Sequence, residues 1–146
     1  MSVNIPVYAG KVLRVDLANR EIKKEELPPL ETLRKFLGGT GLGIKTLYEE
    51  VFPNVNPYDP ENRLIFASGP LGGTIGGTGT FSVITKGPMT NSVLSAQANG
   101  FMGAYMKFAG FDVVIVQGAA QKPVYLYLRD GQAELSDASG LEGKDT

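Results

Sequence analysis

This chain of 146 residues contains no cysteine and no histidine. Without cysteine it can form no disulfide, offer no thiolate nucleophile, and supply no sulfur ligand to zinc or an iron–sulfur cluster. Without histidine it lacks the commonest general base and the commonest imidazole metal ligand. Chemistry in this chain must therefore come from carboxylates, lysine, tyrosine, hydroxyls or a bound cofactor. Charge of one sign is also scarce: the net charge is −1, with acids and bases mixed along the chain. That balance favours neither nucleic acid nor an anionic membrane as partner. No apolar run approaches the ~18–20 residues of a membrane span, and no leader-like segment precedes the first expected strand. The expected location is cytoplasmic. A hydrophobic share of 42% is enough for one packed core, and the length suits a single domain.

Glycine is abundant. Its 19 residues are nearly twice the usual ~7%, and they gather at 38–43, 69–79 and 100–118. The densest stretch is GPLGGTIGGTGTFSVITKGP, Gly69 to Pro88. Such a cluster costs conformational entropy, so it needs a reason. Either it presents backbone N–H groups to an anion, or it lets the chain turn tightly inside a β-rich domain. It is not a Walker A loop, since no Gly-Lys-Ser/Thr follows. Nor is it a dinucleotide fingerprint, because a strand follows where a helix should begin. A general phosphate or nucleotide binder remains an alternative for this loop.

In chain order, residues 1–7 read as a lead-in. Tyr8–Leu17 and Glu21–Leu27 read as a hairpin whose second, charged strand suits a sheet edge. After Pro28-Pro29, Leu30–Leu37 has helical spacing, closed by Gly38-Gly39. Thr40 is the expected N-cap of a second helix, Gly41–Val51, with Ile44, Leu47, Tyr48 and Val51 inward. Glu49 and Glu50 fall in its last turn, where the helix dipole disfavours anions. The GGTG at 38–41 is either a helix–helix turn or an anion-binding helix start. Strands are expected at 63–68, 80–86, 92–96 and 111–117, the last buried on both faces. Between them Asn99 is the expected N-cap of a helix over 101–109, with Met102, Met106 and Phe108 near its buried side and Gly110 closing it. Val124–Leu128 and Gln132–Ser136 form a hairpin around Asp130-Gly131. These elements predict an α+β domain: two mostly antiparallel β-sheets with three short helices.

Five segments occur in a recognisable order: RVDLANREIKKEEL, FLGGTGLGIKTLYEEV, NPYDPENRLIFASGPLGGTIGGTGTFSVITKGPMT, ANGFMGAYMKFAGFDVVIVQG, and KPVYLYL followed by DASGLEGKDT. Across nearly the whole chain they resemble the N-terminal domain of the tungsten-containing aldehyde:ferredoxin oxidoreductase family. The resemblance implies a single pyranopterin-binding N-terminal domain over 1–146, part of a larger enzyme. It implies a tungsten or molybdenum bis-pyranopterin cofactor with associated Mg²⁺. A [4Fe–4S] cluster would be ligated by cysteines outside this chain. Implied partners are the remaining domains or a cluster-bearing subunit, ferredoxin, and a second copy in a homodimer. The implied reaction is oxidation of aldehydes to carboxylates; this chain alone should not turn over.

Carried over residue by residue, the resemblance places the cofactor-binding site at Gly79, Thr80, Gln97, Ala98, Asn99 and Gly100, with no catalytic residue and no protein metal ligand. The family often has an arginine at the position of Thr80, and an asparagine at that of Gln97. Thr80, together with GGTG at 38–41, hints at a divergent branch, such as the active-site subunit of class II benzoyl-coenzyme A reductases. A non-catalytic assembly or dimerisation domain is the remaining alternative.

Overall fold

The computed structural model describes residues 7–145, so the expected lead-in lies, except for Val7, outside the described residues. Eight strands and three α-helices are formed among them. The strands are β1 (Lys11–Asp16), β2 (Glu21–Glu26), β3 (Leu64–Ser68), β4 (Phe81–Gly87), β5 (Ser92–Ala98), β6 (Val113–Gln117), β7 (Val124–Arg129) and β8 (Gln132–Asp137). The helices are α1 (Leu30–Phe36), α2 (Gly39–Glu50) and α3 (Met102–Phe108), and a 3-10 turn covers Ser139–Leu141. A six-stranded sheet runs β2-β1-β6-β3-β4-β5, and β7-β8 form a separate hairpin. All pairs are antiparallel except β1 with β6. The α+β expectation therefore holds, with one parallel pair at the centre.

Alternation along the central strands divides the core in two. Val12, Val113 and Ile115 face α1 and α2, meeting Leu33, Leu42 and Leu47. Leu13, Val15 and Val114 face the opposite way, meeting Met106 of α3, and Leu126, Leu128, Ala133 and Leu135 of the hairpin pack against that cluster. β6 is thus apolar on both faces because helices cover one and a helix and hairpin cover the other. Charged β2 lies at one edge of the sheet, as its composition suggested. Asp130 and Gly131 both take positive φ, the conformation a two-residue hairpin turn needs.

Several local expectations are corrected. Leu37, rather than a glycine, takes the positive φ at the end of α1, where Gly38 N–H donates to Phe36 O in a tight turn around it. Gly38 is extended, and a Cβ there would sit 2.8 Å from the Ser68 carbonyl oxygen, so its lack of a side chain serves packing. Thr40 does not cap α2, which starts at Gly39; its hydroxyl meets Ser82 Oγ at 2.9 Å and Ser95 Oγ at 3.2 Å. Tyr48 of α2 and both Met102 and Phe108 of α3 are exposed, not inward; of the three expected α3 residues only Met106 is buried.

The acids at the end of α2 are offset by cations from elsewhere. Lys45 pairs with Glu49 one turn away. Glu50 accepts from both terminal nitrogens of Arg14, at 2.8 and 2.7 Å, and from Arg63 Nε at 3.0 Å. Burial works against the Glu50 carboxylate, but the hydrogen bonds and charges of Arg14 and Arg63 outweigh it and hold its pKa below the ordinary 4.5. A depressed carboxyl contributes stability above its unfolded pKa and loses it as acid protonates the folded state. Glu50→Gln should therefore cost about 1–3 kcal/mol at neutral pH. The gap from wild type should close as pH falls below about 4.5, measured by urea denaturation across a pH series. A gap independent of pH would contradict this account.

Candidate functional site

The glycine stretch leaves β3 at Ser68 and returns to the sheet at β4. On the way it makes compact turns, with Gly72 N–H donating to Gly69 O (3.0 Å) and Gly73 N–H to Thr78 O (3.2 Å). Gly73 and Gly77 have positive φ, which glycine adopts without steric cost. The loop then meets the turn between β5 and α3. Phe81 pairs with Ala98 at the end of the β4–β5 ladder. One residue beyond, Thr80 Oγ1 donates to Asn99 Oδ1 at 2.6 Å. Gly79 lies so close to Gly100 that a Cβ on Gly79 would overlap the Gly100 carbonyl oxygen.

The loop, this turn and α3 enclose an open concavity of about 720 Å³. Its lining includes Gly76 to Thr80 on one side, Asn99 and Gly100 at the turn, and Phe101, Ala104, Tyr105 and Phe108 of the α3 segment. Gly76, Gly77 and Gly100 have open space where a Cβ would stand. The three rings form a chain: Phe101 and Tyr105 have centroids 6.1 Å apart, and Tyr105 meets Phe108 edge-on at 6.0 Å. All three are largely exposed. No lining residue carries a charge. The concavity thus offers hydroxyl, amide and backbone groups beside an aromatic wall. Among the described residues, no group of three or more Asp or Glu could hold a metal ion.

Of the six residues expected to form a site, Gly79, Thr80, Asn99 and Gly100 line this concavity. Gln97 and Ala98 belong instead to β5, which runs two residues beyond its expected end because Ser82 and Phe81 continue the ladder. Gln97 Nε2 reaches Thr40 Oγ1 at 3.3 Å, next to the start of α2. Asn99 does not cap α3; the residue preceding that helix is Phe101. The Gly103 N–H of its first turn is satisfied by Gly79 O at 3.2 Å. That frees the Asn99 side chain for Thr80. The aromatic wall escaped the sequence reading, since rings at helical spacing are read as core before they are read as a cavity lining. Their exposure is the signal that separates the two.

No helix among the described residues is long and apolar enough to cross a membrane.

Comparison with known proteins identifies the lineage. The family model described as aldehyde ferredoxin oxidoreductase, N-terminal domain, matches residues 12–146. The chain is 48% identical, over 138 residues, to a tungsten-containing aldehyde ferredoxin oxidoreductase of Pyrococcus abyssi, covering 94% of this chain and 23% of that protein. It is 38% identical, over 139 residues, to an aliphatic sulfonate oxidoreductase, WOR-like subunit, of Pyrococcus furiosus, covering 93% and 22%. Among solved structures, a chain of the active-site complex BamBC of benzoyl coenzyme A reductase, in complex with 1,5-dienoyl-CoA, superposes with a TM-score of 0.90 at 38% identity. That match covers 94% of this chain and 21% of that one. The chain therefore spans less than a quarter of the length of these relatives. With its family model matched from residue 12 to residue 146, this chain belongs to the aldehyde ferredoxin oxidoreductase family, as an N-terminal domain.

Proposed function

We propose that this domain holds a pyranopterin cofactor within a tungsten (or molybdenum) oxidoreductase that converts aldehydes to carboxylates and passes electrons to ferredoxin. The observation that carries the reading is the meeting of Gly79–Thr80 with Asn99–Gly100 at one concavity. Its volume of about 720 Å³ falls in the ~300–1,000 Å³ range of small-molecule sites. The residues present fit such a group. The aromatic wall of Phe101, Tyr105 and Phe108 suits a flat ring system. The glycine turns and the Thr80 and Asn99 side chains suit a phosphate and an oxygen-liganded Mg²⁺. No cysteine or histidine exists to ligate tungsten directly, so the metal would be carried by the cofactor.

When bound, that cofactor would supply the redox chemistry, and the [4Fe–4S] relay would belong to the polypeptide beyond this chain. The domain's own work is to bind and orient. The hydrogen bond from Thr80 to Asn99 fixes the amide at the rim. The aromatic rings would keep water from one side of a bound cofactor. Thr80 offers only a hydroxyl where the resemblance implies an arginine, so phosphate neutralisation would fall to backbone donors and Mg²⁺. Ferredoxin, the cluster-bearing remainder and a homodimer partner belong to the same proposal, as does a cytoplasmic location.

The close superposition on the benzoyl coenzyme A reductase complex supports a second reading, a reductase acting on an aromatic thioester. The higher identity to aldehyde ferredoxin oxidoreductases, 48% against 38%, favours the first. The deciding experiment co-purifies the chain with its cysteine-bearing partner region and measures tungsten, molybdenum and pterin by mass spectrometry. The expected result is metal and pterin in fixed ratio, reduced about tenfold in a Thr80→Val/Asn99→Ala double variant that folds normally, the loss of one to two hydrogen bonds to a charged group. A complex carrying neither metal nor pterin would sink the proposal.

A further inference from the structure

We propose that Lys107 is the positioning residue of this concavity: its ammonium gathers the entrance of the glycine loop onto α3 and so holds the loop where it meets a ligand. This rests on the reading of the concavity as a cofactor site. Lys107 is buried, its side chain being only 7% exposed, and Asp112 beside it only 2%. Its Nζ donates to Gly69 O at 3.2 Å, Pro70 O at 2.9 Å and Val7 O at 2.7 Å, and lies 3.3 Å from Asp112 Oδ1. Asp112 in turn accepts from the N–H groups of Ala9 and Gly10 at 3.0 and 2.7 Å. One buried ion pair therefore joins the segment before β1, the first two residues of the loop, α3 and the start of β6.

The stem of Lys107 takes part as well. A Cβ on Gly72 would come within 3.0 Å of Lys107 Cδ, and one on Gly73 within 2.9 Å of the Phe108 ring. The loop lies directly on these two side chains, with glycine where it touches them. Lys107 and Phe108 are adjacent in α3, yet they serve different ends. Lys107 holds the loop from its base, while Phe108 and Tyr105 wall the concavity above. This buried ammonium donates to three backbone carbonyls, two of them in the loop and one in the segment before β1, so loop backbone takes much of its donor capacity. Local stability need not follow global stability, so the loop can loosen while the sheet stays folded.

The test separates loop order from fold stability. Lys107→Met keeps the stem and removes the charge, but leaves Asp112 buried without its cation. The Lys107→Met/Asp112→Asn double variant removes both charges and avoids that penalty. In the 146-residue chain, amide hydrogen exchange is followed by NMR at Gly72, Gly73 and Thr74, and in β1 and β6 for comparison. The expected result is exchange about tenfold faster or more at the three loop amides in both variants, the size of one lost charged hydrogen bond. The sheet amides should be slowed back towards wild-type rates in the double variant. Loop exchange that recovers together with the sheet in the double variant, or does not change in either, overturns the proposal. A parallel titration with metal-free pyranopterin should show binding weakened about tenfold in the double variant. If the wild-type chain binds no pterin, the cofactor reading fails, and the exchange experiment still decides the role of Lys107.

Discussion

Replacing Gly79 with alanine should unfold the site and cost at least about 3 kcal/mol, lowering the melting temperature by roughly 10 °C in a domain of this size. The reason is steric. A methyl group at position 79 would overlap the Gly100 carbonyl oxygen, and both partners are backbone. Neither can rotate away as a side chain could. The two segments are also tied by the Phe81–Ala98 pair on one side and by Gly103 N–H to Gly79 O on the other. Separating them by the required distance would break the end of the β4–β5 ladder and the first turn of α3 together. Gly76 offers the control, since a Cβ there meets nothing within 4 Å. Gly76→Ala should change the melting temperature by no more than about 2 °C, the range of ordinary surface substitutions. Calorimetry on both variants checks the pair, and equal small shifts would mean the loop and turn are not in contact in solution.

Asp112→Ala is expected to be the other severe substitution, at about 3–5 kcal/mol. It strips the N–H groups of Ala9 and Gly10 of their acceptor and leaves the Lys107 ammonium buried without a counter-charge. Breaking one side of a buried ion pair costs more than removing both, because the surviving charge stays desolvated. The Lys107→Met/Asp112→Ala double variant should therefore be more stable than Asp112→Ala alone. A double-mutant cycle read by urea denaturation measures the difference. Strictly additive losses would mean that the two groups do not interact.

Much of the architecture was legible from local signals. The Asp130-Gly131 turn, the uninterrupted apolar run of β6 and the charged strand β2 each followed from residue chemistry within a few positions. The glycine loop and the turn at 99–100 were also readable as neighbours, on a resemblance covering nearly the whole chain. The extent of β5 was not. Ser92 to Ala98 is poor in β-branched residues, and its last two residues extend only because β4 supplies a continuous ladder. That is why local composition ends the expected strand at residue 96, whereas Gln97 and Ala98 lie within β5.

By itself the sequence determined the inventory: which donors exist, that no thiolate or imidazole can ligate a metal, and where glycine permits close backbone approach. Those are properties of single residues and short spacings. Only the tertiary structure decided that β1 runs parallel to β6, that Gly79 rather than Asn99 satisfies the first turn of α3, and that Asp112 reaches back 103 residues to Ala9. Such contacts depend on which distant segments the two-faced core brings side by side, and no local propensity encodes that.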